Sequence, residues 1–133
     1  MHLTIAICTW NRADSRKRTL SSLQNFELPD STEIDLVVVD NNCTDTKPQI
    51  VADAQLPFSC ARVSETNSGL SHARNAAVDL ARARNSDFII FTDDDVEVER
   101  GWLVAYQAAF VASAGRSVIG RPVTPGFARE PKP

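Results

Sequence analysis

Apolar and polar residues follow two alternating rhythms along this chain. Residues 3–8 (LTIAIC) form a short apolar, β-branched run that opens into the polar Thr9, Trp10, Asn11 and Arg12, the pattern of a buried strand entering a loop. From Asp14, read as an N-cap, Leu20, Leu23 and Phe26 recur three apart and predict a helix that closes before Pro29. Residues 34–39 (IDLVVV) predict a second strand covered on both faces, ending at Asp40, Asn41 and Asn42. Thr44 or Asp45 is placed to cap a short helix with Pro48 in its first turn, Ile50, Val51 and Ala54 on its buried side, and Pro57 at its end. Residues 58–63 predict a weaker third strand. Ser68, Gly69 and Leu70 then start the most regular helix, with Leu70, Ala73, Ala77, Leu80 and Ala81 on one stripe. Residues 88–91 (FIIF) predict a fourth strand that delivers Thr92 and three aspartates. Residues 101–112 predict another helix, carrying Leu103, Phe110 and one or both of Trp102 and Tyr106, and residues 118–123 a last strand.

Strands alternating with helices predict an α/β fold, a mostly parallel sheet flanked by helices on both faces. Such sheets take ligands outside the carboxyl ends of their strands. The polar clusters 9–12, 40–42 and 93–95 fall at three such ends, after strands one, two and four, and are expected to share one crevice. Residues 1–123 are expected to form this core. Residues 124–133 are a proline-rich tail, the irregular character starting already at Arg121 with Pro122, Pro125, Gly126, Pro131 and Pro133.

Composition narrows the ligand classes. With 133 residues, 43% hydrophobic and 23% charged, the chain suits one globular domain with a modest core. A net charge of -3 and a pI near 5.3 argue against nucleic acid as a partner, which calls for a basic patch. An anionic ligand must then be held locally, by a metal, a helix end or a few arginines. Cys8, Cys43 and Cys60 lie far apart, without metal-ligand spacing and in odd number, so a reducing, cytoplasmic setting is expected. No signal peptide is recognised at Met1, and every apolar run falls well short of the roughly 20 residues that span a bilayer. Membrane association is left to regions outside these residues, and the sequon Asn42-Cys43-Thr44 is expected to be idle. Neither a phosphate-binding P-loop nor a dinucleotide glycine fingerprint occurs. His2 and His72 are the only histidines, which excludes a histidine-rich metal site.

Three consecutive carboxylates at a strand end repel one another unless something positive lies nearby. An isolated Asp-Asp-Asp run is more often a solvated turn. Behind an apolar strand, however, Asp93 and Asp95, two apart in an extended segment, point the same way and suit a hard cation such as Mg²⁺ or Mn²⁺, with Asp94 turned oppositely unless the backbone turns there. Asp40 can accept a ring N–H from uracil, thymine or guanine, and Thr9 at the end of the first strand can frame the other edge of the base. Arg12 is a candidate diphosphate or base contact. Asn67 to Asn75 opens a helix with small residues, so that backbone near Gly69 can approach a ligand and the helix N-terminus favours an anion, with Arg74 in its first turns.

Taken together, Cys8-Thr9-Trp10-Asn11-Arg12, Val38-Val39-Asp40-Asn41-Asn42-Cys43-Thr44-Asp45, Asn67-Ser68-Gly69-Leu70-Ser71-His72-Ala73-Arg74-Asn75 and Phe91-Thr92-Asp93-Asp94-Asp95 resemble, in order and spacing, the large family 2 of glycosyltransferases, which has the Rossmann-like GT-A fold. The resemblance covers residues 3–123. It implies a nucleotide-diphospho-sugar donor, an acceptor it leaves unspecified, and a divalent cation, Mn²⁺ or Mg²⁺. By the same resemblance Thr9 and Asp40 lie at the base, Arg74 near the nucleotide, Asp93 at the ribose or sugar, and Asp95 at the cation, with Asp94 a candidate for either role because the motif's register is ambiguous by one residue. Direct displacement with inversion is implied, a carboxylate base deprotonating the acceptor hydroxyl. Family members usually run well past 200 residues and carry that base many tens of residues beyond the metal motif. Here only 38 residues follow Asp95, with Glu97, Glu99 and Glu130 as their only acids. The chain is therefore expected to be an N-terminal, donor-binding piece whose base lies elsewhere. Two other functions fit parts of the sequence: a non-catalytic nucleotide- or metal-binding domain, and a phosphoacceptor signalling domain, for which Lys17, Lys47 and Lys132 are the only lysines.

Overall fold

A computed structural model describes residues 1–11, 13–44, 55–114, 118–120 and 122–126. The described elements run β1 (His2–Thr9), α1 (Ala13–Gln24), β2 (Glu33–Asn41), β3 (Ser59–Glu65), α2 (Leu70–Ala83), β4 (Phe88–Asp93) and α3 (Trp102–Ala112). The strands form one sheet in the order β3-β2-β1-β4, and all three pairings are parallel. An entirely parallel sheet directs every strand's carboxyl end to the same edge. The polar clusters after β1, β2 and β4 are thereby brought together.

Successive side chains on a strand point to opposite faces, and here each face has its own helices. Leu3, Ile5 and Ile7 of β1, Leu36 and Val38 of β2 and Ile90 of β4 join Leu20, Leu23 and Phe26 from α1 and its end, and Leu103 from α3. Phe58 stacks on Phe26 with ring centroids 5.4 Å apart, and Phe88 packs on Phe110 of α3 at 4.5 Å. On the other face Ala6, Val37 and Val39 meet Ala73 and Ala77 of α2. Alanines on the buried stripe let the α2 backbone lie close to the sheet, leaving little room for flexing between them.

Several expectations are corrected. Helix α1 begins at Ala13, so Asp14 lies inside its first turn and is not the cap. Leu70 is 50% exposed rather than buried, because it lines an open cleft instead of the core. Residues 118–120 and 122–126 form no strand. Val118 and Val123 are exposed, and with Gly120 and Pro122 between them the segment has neither a face to bury nor a full set of ladder donors. The helix expected around Ile50 lies outside the described residues.

At the amino ends of the strands, away from the polar clusters, Asp35 ties four elements together. It accepts from His2 Nε2 at 2.9 Å, pairs with Arg84 at 3.0 Å and accepts from the Ser59 hydroxyl. Burial by itself would raise the Asp35 carboxyl, but hydrogen bonds from Ser59, His2 and Arg84 and the Arg84 charge outweigh it and hold it below the ordinary carboxylate value. A depressed carboxylate contributes stability that is present above its unfolded pKa, about 3.9, and is lost as pH falls through its folded value. Urea titrations from pH 6 downward should therefore show stability declining below about pH 4. An Asp35→Asn variant should be less stable at pH 6 and decline less over that window. An unchanged acid limb in the variant would remove Asp35 from this role.

Candidate functional site

The sheet register sets the geometry of the site. Thr9 lies opposite Asp40 on β2, and Cys8 lies opposite Asp93 on β4. Thr9 and Asp40 continue the face that carries α1, while Cys8, Asn41 and Asp93 continue the face that carries α2. Adjacent residues at each strand end thus do different jobs.

On the α1 face the polar groups turn inward. The Thr9 hydroxyl donates to Asp94 Oδ2 at 2.7 Å, and Asp94 is only 5% exposed. This bond bridges the ends of β1 and β4. Arg16, 4% exposed on α1, directs its NH1 to the Thr9 oxygen at 3.5 Å, while its buried Nε has no hydrogen-bond partner. Asp40 is also buried. Its Oδ1 accepts from the Cys43 backbone N–H at 3.0 Å, and its Oδ2 pairs with the Arg62 guanidinium from β3. Burial pushes the Asp40 carboxyl up, but hydrogen bonds from Arg62 and Cys43, with the Arg62 charge, more than offset this and leave it below the usual value. Asp40 is thus held ionised.

On the α2 face the groups are open. A cleft of about 400 Å³ is lined by Cys8, Thr9, Trp10, Asn41, Gly69 and Leu70, among others. Asn41 fastens its far wall: its Nδ2 donates to the Asn67 carbonyl at 2.7 Å, and its Oδ1 accepts the Gly69 N–H at 2.9 Å. Gly69 precedes α2 at φ +128, a conformation that side-chain-bearing residues rarely adopt. Thr44 N–H donates to Asn11 Oδ1 at 2.8 Å, which joins the loops after β1 and β2. Arg74, exposed on the second turn of α2, lies over the Phe91 ring at 5.7 Å, a cation–π contact that aims the guanidinium across the end of β4. Burial pushes the Cys8 thiol up, against the lowering influence of Arg74, so Cys8 is a neutral wall residue.

Asp93 ends β4 and Asp95 follows two residues later, both exposed. Among the described residues no three acid, histidine or cysteine side chains gather into a closed cation cage. Two carboxylates at an open edge are nevertheless an oxygen-donor set of the kind Mg²⁺ accepts when waters and phosphate oxygens complete its shell. The structure brings Thr9, Asp40, Asn67, Gly69, Arg74, Asp93, Asp94 and Asp95 to one edge of the sheet. Asp94 alone of the three aspartates is turned into the protein, while Arg12 lies outside the described residues. Arg16 and Arg62 escaped sequence reasoning, which placed Asn41 at the crevice but gave it no role. Arg16 carried a signal, since it falls on the same helical stripe as Leu20 and Leu23, where a charge is out of place.

The sequence profile described as Glycosyl transferase family 2 matches residues 4–128. No curated protein sequence matches the chain. Among solved structures, S. aureus TarS 1-349 in complex with UDP-GlcNAc is 25% identical, with a TM-score of 0.67, and the match covers 94% of this chain and 37% of that one. The same protein in complex with UDP matches at 25% identity, a TM-score of 0.68, and 94% and 38% coverage. The mannosyltransferase PcManGT from Pyrobaculum calidifontis, in complex with GDP-Man and Mn2+, is 28% identical with a TM-score of 0.62, over 76% of this chain and 32% of that one. The chain spans less than two fifths of the length of each of these structures.

Asn41 should be the principal fastening of the cleft wall. Replacing it by alanine leaves the Gly69 N–H and the Asn67 carbonyl without that partner, a loss of about 1–3 kcal/mol. Asn41→Ala is expected to lower stability by about that amount in urea titration and to speed hydrogen exchange at the Gly69 amide. Unchanged exchange at Gly69 would mean that the wall is held by other contacts.

Proposed function

The chain belongs to glycosyl transferase family 2, and we propose that it is the donor-binding part of an inverting, metal-dependent glycosyltransferase. Its substrate is a nucleotide-diphospho-sugar, whose sugar passes to an acceptor hydroxyl. The observation that carries this reading is the convergence of Asp40, Arg74 and the Asp93–Asp95 pair on the carboxyl edge of three adjacent parallel strands, where open α/β sheets take their ligands. The donor complexes of TarS and PcManGT, similar in fold over most of this chain, lend it support.

In this proposal Asp40 accepts the ring N–H of the base, the exposed Arg74 guanidinium faces the nucleotide, and the backbone around Gly69 lets the donor approach closely. Asp93 and Asp95 hold Mn²⁺ or Mg²⁺. When bound, such a cation offsets the negative charge that grows on a departing diphosphate. Asp94 acts indirectly: its bond to Thr9 fixes the turn that presents its two neighbours outward. The base that deprotonates the acceptor is assigned to no described residue. Glu97 and Glu99 follow the aspartates too closely in the chain to reach the far side of the sugar, where inversion requires the acceptor to approach. A reducing, cytoplasmic location agrees with three free thiols.

Calorimetric titration with UDP, GDP and dTDP, each with and without Mn²⁺, tests this directly. At least one should bind, more tightly with the metal, and Asp95→Ala should abolish the metal's contribution while leaving the fold intact by circular dichroism. Binding indifferent both to Mn²⁺ and to Asp95→Ala, or no binding at all, would overturn the proposal.

A further inference from the structure

Resting on the donor-site reading, we propose that Arg62 is a specificity-determining residue that, together with Asp40, selects a uracil or thymine base over guanine. The argument starts from how the two Asp40 oxygens are used. Oδ1 accepts the Cys43 N–H at 3.0 Å, and Oδ2 takes the Arg62 guanidinium. Arg62 stands opposite Val38 on the sheet, two positions short of Asp40, and reaches along the same face to meet it. The Arg62 side chain is 44% exposed, against 9% for Asp40. The guanidinium therefore keeps N–H donors available to a ligand beside the carboxylate.

The hydrogen-bonding edges of the candidate bases differ in what they ask of this pair. Guanine presents a ring N–H and an exocyclic amino group side by side, and its best contact with a carboxylate uses both oxygens along one edge. Cys43 and Arg62 each take one lone-pair direction on the two oxygens, so guanine's edge must fit the directions that remain, and its amino group would set a donor against the Arg62 donors. Uracil and thymine present a single ring N–H between two carbonyls. An ionised carboxylate has about four lone-pair directions, so Oδ2 can accept that N–H and keep Arg62. The flanking carbonyl then faces the remaining guanidinium N–H groups, donor against acceptor. Arg62 thus serves two states: it satisfies a buried carboxylate when the donor is absent, and reads a carbonyl when it is present. A discrimination built on polar groups left unpaired by the wrong ligand is stronger than one built on shape.

The test titrates the full 133-residue chain and its Arg62→Gln and Arg62→Ala variants with UDP, dTDP and GDP in Mn²⁺, after circular dichroism has confirmed the fold. The glutamine variant removes the charge but keeps much of the side chain, so it guards against a packing defect in the alanine variant. The unaltered chain should bind UDP or dTDP at least about tenfold more tightly than GDP, the stronger of the two naming the base. Both variants should weaken the preferred pyrimidine nucleotide by about tenfold or more and GDP much less, collapsing the preference. An equal loss for all three nucleotides would reduce Arg62 to a general attraction for anions and overturn the proposal. Tighter UDP binding in the variants would make it a mere competitor for Asp40, with the same consequence. Failure of the unaltered chain to bind any of the three defeats the donor-site reading beneath it instead, and the two failures are therefore distinct.

Discussion

Everything at the carboxyl edge of the sheet depends on β1 pairing in parallel with both of its neighbours. As the strand between β2 and β4, β1 fixes the heights of both, and its last residues set Thr9 level with Asp40 and Cys8 level with Asp93. A slip of one residue in either pairing would turn the side chains of that strand to the opposite face. In the β1–β4 pairing, such a slip would also turn Asp93 toward the buried face. The apolar alternation of Leu3, Ile5 and Ile7 on one face and Ala6 on the other is thus what guards the register, and the polar site inherits its accuracy from the core.

From that register follows a division between two faces of one edge. The inward face holds charged and polar groups in close company, Arg16 with Thr9 and Asp94 and Arg62 with Asp40, where each group is costly to bury without its partner. The outward face holds the cleft, the Asn41 clamp and the exposed carboxylates. Three consecutive aspartates can serve both because β4 ends at Asp93 and the backbone turns at Asp94 and Asp95, which sends Asp94 inward to Thr9 and leaves its neighbours exposed.

Much of this was legible in the sequence. Buried strands announced themselves as apolar runs, and the polar residues closing them were expected to share one edge, which the parallel sheet bears out. Asp94 does face away from its neighbours, but through a turn at Asp94 and Asp95 rather than the two-residue period of an extended strand. What the sequence concealed was the partner each site residue would find. Arg62 stands in a short, weakly patterned strand where a charge usually means solvent, and only the pairing of β3 beside β2 carries it to Asp40. Asn41 was placed in the strand-end cluster without a role, because its value lies in contacts with a loop 26 and 28 residues away. Segments without a second face to cover, such as the one holding Val118 and Val123, were misread because β-branched composition favours a strand only where a partner exists.

The Asp35 cluster at the opposite edge has a bearing on how such a domain can change over time. It binds the amino ends of β1, β2 and β3 and the C-cap of α2 through polar contacts at the edge opposite the cleft. Substitutions around the cleft therefore leave that anchorage intact. A scaffold with its rigidity concentrated at one end can accept new loops and altered ligand preferences at the other while remaining above the threshold of stability needed to persist in a cell.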